Sequence, residues 1–422
     1  MRCCMHPLFS GGLARRCGWI GYVCRERRID GVGGGASPVS YTHLDVYKRQ
    51  EELYASRFNS ESAVKIGCNI EGHPAFFILT PPLSAMLVKA AKVDKEIFRL
   101  IQQLPGKAIS DYANACLIDE IVLTNEIENV HSTRREISDV LETLEKSDKK
   151  KRFHGIVAKY DKLLRGEPVF ISTCSDVRSI YDELVLQEVC ATDLGKAPDG
   201  RYFRTGSVSV VDGAGQEIHH GVQPESKIIE MMECMLAFLE NEEVDVLVRT
   251  AVSHFLFGYI HPFYDGNGRT NRFISSSIIA GEYEKLVGLR LSFAIKEEIG
   301  RYYKAFMTCE HSLNKGDLTP FVIEFVDIVL TGMERLREAL AERDVNLRKY
   351  EALAWELYGE QGDKSSYELM RILIVARLFA LYLSLIHISR TGCYRRYGYD
   401  RYRSELLGYY RGFAESCCDT RS

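Results

Sequence analysis

Between Val244 and Ile279 the chain must end one apolar helix and begin another within a few residues. Leu247, Val248, Ala251, Phe255 and Tyr259 recur at helical spacing and run directly into His261-Pro262. Pro262 lacks an N–H and drives His261 out of helical geometry, so the helix has to stop there. After Gly266-Asn267-Gly268 a second pattern starts, carried by Phe273, Ile274, Ile278 and Ile279. The fold must bring two largely buried helices together at a short loop that holds a histidine, a carboxylate and two arginines.

Two segments near the ends depart from the rest. Asp45 to Gln50 back-translates as GAT GTG TAT AAG AGA CAG, which resembles a transposon end used in sequencing libraries, and Leu383 to Ile388 back-translates as its reverse complement in all but frame. Residues 1–50 and 383–422 are therefore read as foreign, and 51–382 as the gene's own product. The foreign ends contribute +5 and +3 to the net charge of −4, which leaves the core at −12. An acidic core gives no electrostatic reason for general nucleic-acid binding. The ends also hold seven of the 13 cysteines. The other six, Cys68, Cys116, Cys174, Cys190, Cys234 and Cys309, form no CxxC pair and read as reduced thiols of a cytoplasmic protein. No targeting segment is evident, and the apolar run Leu378 to Ile388 is too short to span a bilayer.

The expected class is all-α. Helices are anticipated over 84–103, capped by Ser84 after Pro81-Pro82 and broken near Val93, over 110–129, and from a Ser175 cap through Ile180 and Val185. Others are expected after Pro224, from Val244, over 295–311 and over 319–341. Residues 145–152 form a solvated charged stretch. Ser207 to Val211, followed by Asp212-Gly213, signals a hairpin that stands alone among helices. The chain divides into an N-terminal helical region (51–165), a core (166–330) and C-terminal helices (331–382), with a turn at Gly362-Asp363.

The loop chemistry is that of phosphoryl-group handling. Gly266, Asn267 and Gly268 let the backbone approach an anion closely at a helix N-terminus. Arg269 and Arg272, three apart, can reach one phosphate-bearing ligand, and Asp265 suits magnesium. His261 can accept a hydroxyl proton. His254, by contrast, reads as a buried, hydrogen-bonded histidine. The glycines do not fit GxxxxGK[ST], so this is not a P-loop.

His261, Phe263, Asp265, Gly266, Asn267, Gly268, Arg269 and Arg272 fill every fixed position of HxFx(D/E)GNGRxxR, and the chain resembles the Fic family over about 51–330. The resemblance implies a Fic-type helical bundle with a β-hairpin flap that transfers AMP from ATP, with Mg2+, to a Ser, Thr or Tyr hydroxyl of a target protein. His261 would be the general base, Asp265 the metal residue and Phe263 a core anchor. Gly266 to Gly268, with Arg269 and Arg272, would cradle the phosphates. Val208, Ser209, Val210 and Val211 would form the flap, and Tyr303 would line the nucleotide site. Glu310 stands where some relatives carry an asparagine near the base.

Upstream, Thr124 to Asn129 resembles the family's inhibitory pattern (S/T)xxxE(G/N). Thr124 and Glu128 share one helix face, and Glu128 would take Arg272 away from the γ-phosphate. Two alternatives stay open: removal of AMP by water at the same site, and a regulator that only binds nucleotide. The implied partner is a hydroxyl-bearing protein, which includes the protein itself, and a homodimer is allowed for. Relatives of this layout often end in a winged helix. Residues 364–379 would be its first helix, but the recognition helix is missing, so DNA binding is not supported, and no membrane partner is implied. Continuous genomic DNA through both junctions would contradict the reading of the ends; an abrupt break at each is expected from the source locus.

Overall fold

The computed structural model describes residues 2–4, 39–144, 151–211 and 217–380. Most of the charged stretch 145–152, the Asp212-Gly213 turn, most of residues 1–50 and all of residues 383–422 therefore lie outside the described residues. Helix α1 (Val39–Phe58) leads into a hairpin of β2 (Ala63–Ile70) and β3 (His73–Ile78). Then come α2 (Pro81–Gln103), α3 (Gly106–Ile127), α4 (Arg134–Glu142), α5 (His154–Arg165), α6 (Cys174–Tyr181), a π-helical turn Asp182–Leu186 and α7 (Gln187–Thr192). A second hairpin, β4 (Ser209–Val211) with β5 (Glu217–His220), precedes α8 (Glu225–Leu239), α9 (Val246–Ile260) and α10 (Asn267–Glu282). The described residues finish with α11 (Lys285–Gly288), α12 (Leu291–Glu297), α13 (Ile299–Glu310), α14 (Thr319–Ala354) and α15 (Lys364–Phe379). A three-residue strand, β1 (Arg2–Cys4), pairs in parallel with β4.

Helix α9 is the centre: nearly all of its side chains are buried, among α8, α10 and α14. Apart from Arg249, Thr250, Ser253 and His254 its side chains are apolar and spread around the helix, which suits an interior position. Because α9 and α10 pack against each other, the loop between them is held at one end of the bundle.

Several expectations change. The flap is not the sole hairpin. In β2, Ile66, Cys68 and Ile70 alternate inward, and the chain reverses through Glu71 and Gly72 at φ 49° and 78°, as a tight two-residue turn requires. The hairpin is tied in where Leu318 N–H donates to Phe76 O at 2.7 Å. Helix α2 starts at the proline pair, with Thr80 rather than Ser84 as its cap. Proline fits a first helical turn because no N–H is needed there. Val93 is buried and α2 runs unbroken past it. Thr173, not Ser175, caps α6, in a reciprocal bond with Asp176 three residues on. Helix α14 extends to Ala354, and α15 packs on α14 and α3, where Arg343 Nε donates to Leu378 O at 3.0 Å. The six cysteines are unpaired, and no described helix is long and apolar enough to cross a membrane.

The π-helical turn places Val185 and Tyr181 against the loop, and α5 rests on that turn with almost no clearance. A Cβ at Gly155 would collide with the Glu183 carbonyl. Gly155→Ala is expected to destabilise the fold by about 1–3 kcal/mol, read from the urea midpoint; an unchanged midpoint would contradict this packing.

Candidate active site

His261 ends α9 in the left-handed region, at φ 52°, and its N–H donates to Phe257 O at 3.0 Å. A histidine needs support to hold that conformation, and Arg204 supplies it. The guanidinium is fully buried and donates to His261 O at 2.8 Å, Gly206 O at 2.6 Å and Val222 O at 2.9 Å. Next, Asn267 closes the loop on itself. Its Oδ1 accepts from Phe263 N–H at 2.9 Å and its Nδ2 donates to Phe263 O at 2.7 Å. The Asn267 side chain is thus committed to shaping the loop, so what it offers a phosphate is its main chain. Phe263 is fully buried and stacks on Tyr181 at 3.7 Å, as expected of an anchor. Gly266 caps α10 at φ 79°, where a side chain would also strike Val185.

The imidazole of His261 faces a carbonyl, Gly258 O, 3.4 Å from Nδ1. A carbonyl only accepts, so Nδ1 carries the proton and Nε2 keeps a lone pair. Burial, then His219 and Arg204, lower the His261 pKa to about 3. His219 belongs to β5 and its Nε2 donates to Tyr259 O at 2.7 Å. Glu310 lies 3.2 Å from His219 Nδ1, and its carboxyl is raised to about 8 by burial and then by Glu71. His254 is buried between Ser275 Oγ at 2.8 Å and Tyr302 OH at 2.9 Å, as expected from sequence.

Each charged group of the loop meets an opposite charge from elsewhere in the chain. Arg272 Nε donates to Thr124 Oγ1 at 2.7 Å, and Nη2 donates to Thr124 O at 3.1 Å and to Glu128 Oε1 at 2.7 Å. Burial alone would lower the Arg272 pKa; the Glu128 carboxylate turns the net shift upward. The same Glu128 oxygen lies so close to Gly268 that no Cβ would fit there. The carboxylate therefore sits over the first turn of α10, where an anion is favoured. Asn129, at φ 57°, turns the chain away after α3, a conformation that asparagine tolerates better than most residues. Tyr303 lies near both Glu128 and Arg272 and its hydroxyl is raised to about 12, mostly by burial.

Arg269 is turned to a different partner from Arg272: its Nη1 donates to Glu188 Oε1 at 3.0 Å. Asp265 Oδ1 accepts from Gly266 N–H at 2.6 Å, and Oδ2 accepts from Lys196 Nζ at 2.5 Å. No cluster of three or more His, Cys, Asp or Glu that could hold a metal occurs among the described residues. One carboxylate beside a phosphate cradle fits magnesium that arrives with nucleotide phosphates, since that ion takes few protein ligands. In the flap, Val208 is buried, its O accepts from Gly221 N–H at 3.0 Å, and Ser209 pairs with His220 across the hairpin. Sequence reading missed Arg204, Glu188 and Lys196, because nothing local marks a charged residue whose partner lies tens of residues away.

Residues 172–279 match the Fic/DOC family. The chain is 29% identical over 177 residues to protein adenylyltransferase fic-1 of Caenorhabditis elegans, covering 40% of this chain and 31% of that protein. It is 34% identical over 98 residues to the Caenorhabditis briggsae protein of the same name, covering 22% and 18%. The match thus spans about a third or less of these curated relatives. A Fic family protein from Desulfovibrio desulfuricans superposes with a TM-score of 0.49 at 21% identity, over 63% of this chain and 76% of that one.

The histidine environment makes a direct prediction. The ring signal of His261 in proton NMR should show no titration between about pH 5 and pH 8; a midpoint near the ordinary 6.5 would contradict the burial argument. As pH falls below about 6.5 the unfolded chain takes up a proton that the folded site refuses, so this group's contribution is lost toward acid.

Proposed function

This chain carries a Fic/DOC family domain at residues 172–279, and on that premise we propose that it is an auto-inhibited protein adenylyltransferase. In this reading AMP passes from ATP to a Ser, Thr or Tyr hydroxyl of a target protein. The observation that carries the auto-inhibited part is the Glu128 contact with Arg272, made over the turn of α10 where a phosphate would lie.

The chemistry follows from the loop. A target hydroxyl loses its proton to His261 Nε2 as its oxygen bonds to the α-phosphorus, and the bond from that phosphorus to the pyrophosphate oxygen breaks. His261 suits the role because it is neutral, held by Gly258 O and by the Arg204 grip on its backbone. The main chain of Gly266 to Gly268 and the guanidinium groups of Arg269 and Arg272 bind and orient the triphosphate. Asp265 would hold magnesium, which neutralises phosphate charge. The flap, Val208 to Val211, would guide the target segment, and Tyr303 would border the nucleotide.

Glu128 blocks this arrangement in two ways. It neutralises Arg272, and its carboxylate repels phosphate from the same turn. A charge-assisted hydrogen bond of this kind is worth about 1.5–3 kcal/mol, which is roughly 10- to 150-fold in an equilibrium. The adenylyltransferase activity named for the relatives and the intact motif support transfer, and His261 favours it over a nucleotide-binding regulator, which has no need of a base.

The test is incubation of the protein, Glu128→Gly and His261→Ala with ATP and magnesium, read by intact mass. Self-modification by AMP is expected to be slow for the parent, at least tenfold faster for Glu128→Gly, and absent for His261→Ala. Nucleotide binding with no AMP gained by any variant, on itself or on proteins of a lysate, would overturn the proposal.

A further inference from the structure

The countercharge on Asp265 comes from outside the loop, and its position bears on how the site takes up a cation. Lys196 ends a 3-10 turn, Leu194–Lys196, whose first peptide is capped where Asp193 Oδ1 accepts from Gly195 N–H at 2.9 Å. The Lys196 ammonium stands 2.5 Å from Asp265 Oδ2, and both side chains are about a quarter exposed, at 24% and 27%. Asp265 Oδ1 is already taken by the Gly266 N–H. Both oxygens of the one carboxylate assigned to magnesium are therefore occupied, one of them by a competing cation. The turn that carries Lys196 buries none of its own residues, and Leu194 within it is 79% exposed. Little apolar packing holds the lysine in place.

An ammonium and a magnesium ion seek the same carboxylate lone pairs, and two cations on one oxygen repel each other. We propose that Lys196 is a displaceable counter-cation of Asp265, which keeps the carboxylate paired before nucleotide arrives and sets the magnesium concentration at which the site loads. The inference rests on the reading of Asp265 as the magnesium residue. It is distinct from the Glu128 contact, which acts on the phosphate side of the loop and comes from a different helix.

The experiment measures binding rather than turnover, on the full chain, with the α,β-methylene analogue of ATP as the probe. Calorimetric titrations over a series of magnesium concentrations give the concentration at which the analogue's affinity gain is half complete. Lys196→Met removes the charge and should lower that concentration roughly two- to fivefold, the range for a partly exposed ion pair. Lys196→Arg keeps the charge and should stay near the parent. Asp265→Asn should abolish the magnesium-dependent gain. If Asp265→Asn loses the gain while Lys196→Met is unchanged or needs more magnesium, the inference about Lys196 is overturned and the reading of Asp265 stands. If Asp265→Asn keeps the full gain, the assignment of Asp265 fails and the inference fails with it. Lys196→Gln, a second neutral substitution at this surface turn, serves if Lys196→Met loses its helical circular dichroism.

Discussion

The ion pair between Glu128 and Arg272 joins two helix ends that would otherwise be poorly satisfied. Glu128 lies at the C-terminal end of α3, where the helix field disfavours a carboxylate. Arg272 is almost fully buried in the second turn of α10, where a lone cation would be costly. Bringing the two ends together solves both problems, and Thr124 accepts from Nε and from Nη2 of the guanidinium. Under the proposed function this has a consequence, because the turn of α10 that receives the carboxylate is the turn that would receive phosphate.

The rest of the site depends on the same economy of buried charge. Arg204 spends its donors on the carbonyls around His261 and fixes an otherwise uncommon backbone. Burial, with His219 and the Arg204 charge, keeps the imidazole neutral. Glu188 and Lys196, from the short segment after the π-helical turn, hold Arg269 and Asp265. The loop is thus pre-shaped by Asn267 and Phe263, while its ligand-facing charges are each borrowed by the protein itself. Under the proposed function, a nucleotide with its metal ion would exchange partners rather than fill bare positions.

Much of this was legible in the sequence where the signal is local. The helix break at His261-Pro262, the helix restart beyond the glycines and the shared face of Thr124 and Glu128 follow from backbone rules and periodicity. The β2–β3 hairpin was legible too, in the alternation of Ile66, Cys68 and Ile70 before Glu71-Gly72, but the prolines after it drew the reading toward a helix boundary alone. Val93 suggested a break that burial in a long interface overrides. Asn267 was legible as part of a turn whose main chain can approach an anion, but not as the side chain that closes the loop on Phe263. The partners Arg204, Glu188 and Lys196 were not legible, since each acts across 57, 81 and 69 residues, and such pairings appear only once the bundle is assembled.

The central claim is that a charge, not merely a side chain, holds the site off. Glu128→Gln keeps the size of the side chain and its reach to Arg272 but removes the carboxylate charge. The rate of AMP incorporation at saturating ATP and magnesium should then rise at least about fivefold over the parent, consistent with the loss of a charge-assisted bond. A rate equal to that of the parent, with Glu128→Gly fast, would contradict the electrostatic account and leave a steric block in its place.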